Sequence, residues 1–124
     1  MRASTHALGA KAETLAWTYL QRHGFSLECK NYRCDQGEID LVVRQQSLLV
    51  FVEVKSRNDD DLLSTLEMVS KSKQHRIVQT ARHYLYETGQ HQRQCRFDVI
   101  GITRLCDQNP EIHWIKDAFF AAWN

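Results

Sequence analysis

The chain has 124 residues, of which 43% are hydrophobic and 25% are charged, and this composition argues against a disordered, collagen-like or coiled-coil protein. One compact domain spanning residues 1–124 is expected, and the net charge of +1 does not by itself indicate a nucleic-acid-binding protein. No apolar run approaches the roughly 20 residues of a membrane helix, and the four cysteines form no C-x-x-C pair. We therefore expect a cytoplasmic protein with buried free thiols, no structural zinc and no membrane association.

The first predicted element is a helix over residues 5–23, in which apolar residues recur at helical spacing until the stop signal His23-Gly24. Glu13 lies at the margin of the apolar stripe. Its carboxylate is either solvated at the helix edge, which is the commoner outcome, or directed over a neighbouring sheet into a shared site. A strand predicted over residues 25–34 follows and runs into the turn residues 35–37.

Residues 37–55 predict two antiparallel strands, because two runs rich in β-branched and aromatic residues flank the polar link 44–47. Side chains alternate between the faces of a strand, so Asp40 shares a face with Val42, and Glu53 and Lys55 share a face with Phe51. Both runs are too apolar to have a freely solvated face. The two acids and the lysine are therefore expected in a partly buried space.

Burial of an unpaired carboxylate costs several kcal/mol, so Asp40 and Glu53 need a compensating partner. One possibility is a buried ion network with Lys55. The other is an oxygen-rich site for Mg²⁺ or Mn²⁺, made by the two carboxylates and the backbone carbonyl of Val54. The spacing of the residues leaves both possibilities open.

The polar, acidic segment 56–64 predicts a mobile loop, and a long helix is predicted over residues 65–86. Lys73 falls within the apolar stripe of this helix, where its ammonium either extends outward to solvent or reaches the acids of the sheet. Six cations against one acid, Glu87, occupy residues 71–96. Such a run either follows a phosphate backbone or, more often, forms a solvated helix face.

A further strand is predicted over residues 94–103, and its Asp98 is expected to pair structurally rather than to bind metal. A turn over 107–110 leads to a short last strand, 112–115. The apolar tail 118–123 is expected either to close the core or to form an exposed patch for self-association. The order α-β-β-β-α-β-β predicts an α/β fold with a mixed sheet and a right-handed crossover.

An acid on one strand followed by Glu-x-Lys at the end of the next resembles the PD-(D/E)xK nuclease superfamily. The chain resembles more closely the YraN family, an endonuclease-like group of uncharacterised bacterial proteins, and the ordered pattern covers most of its length. The matching segments are Gly9-x-x-x-Glu13, Asn31-Tyr32-Arg33, Gly37-Glu38-Ile39-Asp40-Leu41, Phe51-Val52-Glu53-Val54-Lys55-x-Arg57, Glu67-x-Val69, Lys73 and Arg96-Phe97-Asp98-Val99. This resemblance implies a restriction-endonuclease-like mixed β-sheet flanked by helices.

The resemblance also implies a nuclease that depends on Mg²⁺ or Mn²⁺. Asp40, Glu53 and the carbonyl of Val54 would hold the cation, and Glu13 would assist through a second ion or a water. Lys55 would orient or deprotonate the attacking water. These expectations make Asp40, Glu53, Lys55 and Glu13 the candidate catalytic residues.

The expected partner is nucleic acid, with DNA favoured over RNA, and similarity to archaeal junction resolvases implies branched DNA and a homodimer. The basic residues expected to contact the nucleic acid are Arg33, Arg57, Lys73 and Arg76. The alternative function is a non-catalytic nucleic-acid-binding module of the same fold.

Overall fold

The computed structural model describes residues 5–67 and 69–121, which form a five-stranded sheet with helices on both faces. The strands lie in the order β1-β2-β3-β4-β5, and only β3 and β4 run parallel. The expected mixed sheet is thereby confirmed. In chain order the elements are α1 (Thr5–Arg22), β1 (Ser26–Cys34), β2 (Gly37–Gln45), β3 (Leu48–Ser56), α2 (Leu62–Glu67), α3 (Lys71–Glu87), β4 (Cys95–Thr103) and β5 (Glu111–Phe119).

Two apolar cores lie on opposite faces of the sheet because the central strands are hydrophobic on both sides. On one face Val42 and Phe51 pack in the cluster that contains the inner side of α3. On the other face Leu41 and Val52 pack in the cluster that contains Ala16 and the rest of the inner side of α1. The alternation along β2 and β3 thus sorts neighbouring residues between two helical layers, as predicted for this hairpin.

The predicted single helix over 65–86 is wrong, because two helices occupy this region and α2 begins inside the segment predicted to be a loop. Ser70 precedes α3 in an extended conformation, and its side chain accepts a hydrogen bond from the backbone N–H of Lys73 at 3.2 Å. This N-cap starts a new helix, since it satisfies a backbone donor that lacks an intrahelical partner. The element order is therefore α-β-β-β-α-α-β-β.

The last strand is also longer than predicted, because β5 runs from Glu111 to Phe119 rather than over 112–115. Its pairing with β4 is irregular between Phe97 and Val99, and Asp117 has a positive φ of 57°. The irregularity interrupts the alternating pattern that marks a strand in sequence. Of the apolar tail, Phe119 is buried and residue 120 is exposed, whereas residues 122 and 123 lie outside the described part of the chain.

Asp98 has the structural role that its position predicts. It is 1% exposed, and its carboxylate accepts hydrogen bonds from the Arg96 guanidinium at 2.8 and 2.9 Å, from Trp114 Nε1 at 2.8 Å and from the backbone N–H of Asp117 at 2.9 Å. These bonds join β4 to β5 at the irregularity. The four cysteines are free thiols, as expected, but the predicted burial is wrong, because Cys106 is exposed and the other three are half-buried. None of the described helices has the length and apolar character needed to cross a bilayer.

Tyr84 attaches α3 to β1 and so positions the helix that supplies Lys73. The Tyr84 hydroxyl is buried against the sheet and donates to Glu28 Oε2 at 2.5 Å, and burial and this bond raise the pKa of the tyrosine. Tyr84→Phe is expected to lower the free energy of unfolding by about 1.5–3 kcal/mol, the range for hydrogen bonds to charged groups. Urea unfolding measures the change.

Tyr86→Phe is the matched control for this prediction, because Tyr86 lies on the same helix and is 83% exposed. We expect its free energy of unfolding to stay within about 0.5 kcal/mol of the native chain. Equal losses in the two variants would show that the Tyr84–Glu28 bond does not hold the helix in place.

Candidate functional site

A cavity of about 390 Å³ lies against the sheet at the start of β2 and the end of β3, under the first turns of α3. It contains Asp40, Glu53 and Lys55, so the predicted hairpin brings these three residues to one surface. Its lining residues are Gly37, Glu38, Asp40, Glu53, Val54, Lys55, Lys73, Arg76 and Ile77.

Asp40 and Glu53 become neighbours through the register of the hairpin. The paired positions run as far as Leu41 opposite Val52, which leaves Asp40 and Glu53 as the next two residues beyond the regular ladder. Asp40 Oδ2 accepts a hydrogen bond from the backbone N–H of Val54 at 2.8 Å. A carboxylate thus replaces a strand carbonyl as the acceptor, and this bond holds the Asp40 side chain at the cavity.

Glu53 is 5% exposed and contacts two ammonium groups. Its Oε1 atom lies 3.2 Å from Lys55 Nζ and 2.9 Å from Lys73 Nζ. Lys55 comes from the same face of β3, as predicted from the alternation. Lys73 comes from α3, and of the two orientations considered for it the structure shows the one in which the ammonium reaches the acids of the sheet.

The charges in this cavity displace the pKa values of two groups toward neutrality. Burial and the adjacent charge of Glu53 raise the pKa of Asp40 to about 7, against the opposing effect of the Val54 N–H. Burial, together with the neighbouring Lys73, lowers the pKa of Lys55. The cavity therefore holds a carboxyl group and an amine that exchange protons closer to neutral pH than usual, as functional sites often do.

Glu13 approaches the same region from the other layer. It lies half-buried on α1, and its charge contributes to the raised pKa of Asp40. It is not among the residues that form the wall of the cavity. The structure therefore brings Glu13 into electrostatic range of Asp40 without placing it in the cavity itself.

Comparison with known proteins identifies the family. The profile of the uncharacterised protein family UPF0102 matches residues 12–102. A UPF0102 protein of Coxiella burnetii is 42% identical over 119 residues, which cover 95% of this chain and 96% of the relative. A UPF0102 protein of Nitrosococcus oceani is 41% identical over 121 residues, covering 96% and 97% of the two chains. The chain belongs to the UPF0102 family. Its resemblance to YraN-like proteins is thereby confirmed.

The four basic residues predicted to contact nucleic acid divide into two groups in this UPF0102 protein. Lys73 and Arg76 line the cavity. Arg33 lies outside it, with Nε 3.3 Å from Glu38 Oε1, and both side chains are exposed. Arg57 forms a forked pair with Asp59, with both hydrogen bonds at 2.8 Å, beside a separate depression. The structure therefore does not bring Arg33 and Arg57 into the cavity wall.

Gly37 is a wall residue of the UPF0102 cavity that the sequence reasoning missed. It has a φ of 149°, and a Cβ atom added there would lie 3.2 Å from Thr80 Oγ1 and 3.7 Å from Arg76 Cβ. The turn between β1 and β2 therefore packs closely against α3 because this residue has no side chain. A glycine at the end of a short turn is a sequence signal for a close backbone contact, but it does not indicate that α3 makes this contact.

Within residues 5–67 and 69–121 of this UPF0102 protein, no three His, Cys, Asp or Glu side chains lie close enough together to hold a metal ion between them. The cavity wall instead combines the carboxylates of Asp40 and Glu53 with the main chain of Val54. Any cation here would need its remaining ligands from water or from a bound substrate. His75, His83 and His91 are exposed on the surface.

Proposed function

We propose that this protein is a metal-dependent nuclease that hydrolyses phosphodiester bonds of nucleic acid with Mg²⁺ or Mn²⁺. The supporting observation is the position of Asp40 and Glu53 on one cavity with the Lys55 ammonium 3.2 Å from Glu53. Oxygen donors, a basic group and a partly enclosed surface are the components that metal-assisted hydrolysis requires.

The donor set fits a hard divalent cation. Mg²⁺ is commonly held by one or two carboxylates together with waters and substrate phosphates, so a third carboxylate is not required. Burial, together with the negative charge of Glu53, raises the pKa of Asp40 to about 7, and a cation between the two carboxylates would relieve the repulsion between them. Asp40, Glu53 and the carbonyl of Val54 are the proposed ligands, with Glu13 acting through a second ion or a water.

The residues of the chain then have separate roles. When bound, the cation supplies Lewis-acid polarisation of a phosphoryl oxygen and stabilisation of the leaving oxygen. Lys55, with its lowered pKa, orients or deprotonates the attacking water. Lys73 and Arg76 bring positive charge to the phosphate from α3. Because the cavity is partly buried, these charges act in a medium that screens them less than bulk water does.

The finer assignment is a proposal by resemblance. Asp40 and Glu53-Val54-Lys55 match the pattern of the PD-(D/E)xK superfamily, and the mixed sheet flanked by helices is compatible with a restriction-endonuclease-like fold. Analogy with archaeal junction resolvases suggests DNA rather than RNA, branched substrates and a homodimer. The proposed substrate class therefore rests on likeness of fold.

The test uses the purified full-length chain with supercoiled, single-stranded and four-way-junction DNA. Cleavage is expected with Mg²⁺ or Mn²⁺ and not with EDTA. No cleavage of any substrate in either metal, together with no heat of Mn²⁺ binding in calorimetry, would overturn the proposal. Salt-sensitive DNA binding that survives EDTA without any cleavage would instead support the non-catalytic binding module.

A further inference from the structure

A second depression, of about 790 Å³, runs along α3 beyond the acidic cavity. We call it the α3 groove and define it by Gln36, Gln79, Arg82, His83, Tyr86 and His91. Of these residues, only Arg82 was considered for a function from the sequence, as part of the cationic run 71–96. Arg93 also lines the groove, so two guanidinium groups, two imidazoles and an exposed phenol ring lie on one surface.

The α3 groove adjoins the cavity that holds Asp40 and Glu53. The cavity wall includes Gly37 and Arg76, and the groove wall includes their neighbours Gln36 and Gln79. Gln36 precedes Gly37 in the same turn, and Gln79 lies about one helical turn after Arg76 on α3. The two depressions are therefore consecutive stretches of one surface, about 20 Å long between Lys73 and Tyr86 at the rise of an α-helix.

Two guanidinium groups on this surface are not neutralised by a nearby acid. Arg76 and Arg82 are exposed, and neither guanidinium has an acidic partner among the described residues. Glu87, the acid of α3, already has two other partners. Its carboxylate accepts a hydrogen bond from the Tyr32 hydroxyl at 2.8 Å and lies 3.3 Å from His83 Nδ1. Unpaired cations spaced along a helix are complementary to a polyanion.

Tyr86 adds an aromatic surface at the far end of the groove. The side chain is 83% exposed, so its ring is open to contact by a ligand. An exposed ring next to unpaired guanidinium groups is typical of proteins that bind single-stranded nucleic acid, where bases stack on the ring and the groove follows the backbone. A duplex would not present free base faces to this ring.

We propose that the α3 groove binds an unpaired strand of nucleic acid and directs it into the cavity of Asp40 and Glu53. Arg76 and Arg82 contact phosphates, and a base stacks on Tyr86. The inference rests on the proposed nuclease function for its substrate class, and it adds the requirement for a single-stranded segment beside the cleavage site.

The test measures binding without hydrolysis, by fluorescence anisotropy of a labelled oligodeoxynucleotide of about 15 nucleotides, within the usual range of single-strand sites. The full chain is used at low salt in EDTA. Tyr86→Ala is expected to weaken binding about 5- to 150-fold, the range for loss of one stacked base. Arg82→Gln is expected to reduce the slope of log affinity against log salt by about 0.7.

Two controls remove similar groups from other surfaces. Phe120→Ala removes a ring that is 85% exposed and is not part of the wall of the α3 groove, and Lys11→Gln removes an exposed cation from α1. Both are expected to bind as the native chain does. Unchanged affinity in Tyr86→Ala would overturn the proposal, as would tighter binding of a blunt duplex or equal competition by polyglutamate.

Different results would overturn the nuclease proposal and the proposal for the α3 groove. Cleavage in Mg²⁺ without Tyr86-dependent binding in EDTA would overturn the α3 groove as a strand site and leave the nuclease intact. Tyr86-dependent binding without cleavage in either metal would overturn the nuclease and retain the groove. A substrate carrying a single-stranded tail should exceed its blunt counterpart in affinity only for chains that keep Tyr86.

Discussion

Replacing Glu53 with Gln is expected to slow metal-dependent cleavage by about 10³-fold or more. A metal ion contributes several kcal/mol to the stabilisation of the transition state, and each step of about 1.4 kcal/mol changes the rate tenfold. Glu53 is the most buried acid of the cavity and the partner of both Lys55 and Lys73. The substitution keeps the shape of the side chain but removes the charge that a cation and the two lysines share.

Initial cleavage rates and Mn²⁺ calorimetry on the same samples measure this effect. Glu67→Gln is the matched control, because Glu67 is exposed and lies outside the cavity. Since Glu53→Gln leaves two partly buried ammonium groups without their acid, its fold is checked by circular dichroism. Asp40→Asn provides a second variant with the same expected loss of activity. Cleavage at native rates in both variants would exclude these carboxylates from the reaction.

Asp40→Asn is also expected to stabilise the metal-free protein above neutral pH, by up to about 4 kcal/mol. The pKa of Asp40 is raised from 3.8 to about 7 in the folded protein, so the folded chain binds a proton more tightly than the unfolded chain does. Native stability attributable to this group is therefore full below pH 4 and is lost as the pH rises toward 7, at about 1.4 kcal/mol per unit. Asparagine cannot ionise and does not incur this loss.

Urea unfolding between pH 4 and pH 8 in EDTA measures this difference. The stability of Asp40→Asn relative to the native chain should increase across that interval and level off above pH 7. The amide oxygen of asparagine can still accept the Val54 N–H, so the hydrogen bond at this position is retained. Asp107→Asn, at an exposed position, is the control and should show no such trend. A constant difference at every pH would show that Asp40 ionises normally.

The acids Asp40 and Glu53 are expected to oppose folding and to favour ligand binding. Two carboxylates held beside each other lower stability, and their retention is expected where a cation or a substrate uses them. The same chain therefore should gain stability and lose cleavage when Asp40 becomes asparagine. If the acids formed only a structural ion network, Asp40→Asn would gain stability without any loss of cleavage.

Local patterns in the sequence determined much of the architecture. Apolar residues at helical spacing predicted α1 to within one residue of its observed end. The alternation of side chains along β2 and β3 predicted that Asp40, Glu53 and Lys55 lie at one surface. These features are predictable because a strand turns its side chains by a fixed period of two, so sequence spacing translates directly into the face that a residue occupies.

Other features depended on contacts between distant segments. The sequence left two orientations open for Lys73, and packing of α3 on the sheet placed its ammonium 2.9 Å from Glu53. The break before α3 at Ser70 and the irregular pairing of β5 near Asp117 also escaped prediction. For Lys73 and Asp117 the decisive ion pair or hydrogen bond joins partners that only the fold brings together, whereas the Ser70 cap is a local bond to the backbone N–H of Lys73. Spacing along the chain thus determined which faces of the strands the acids occupy. Tertiary packing decided which groups neutralise those acids, because Coulomb and hydrogen-bond energies depend on distance in space rather than on separation in sequence.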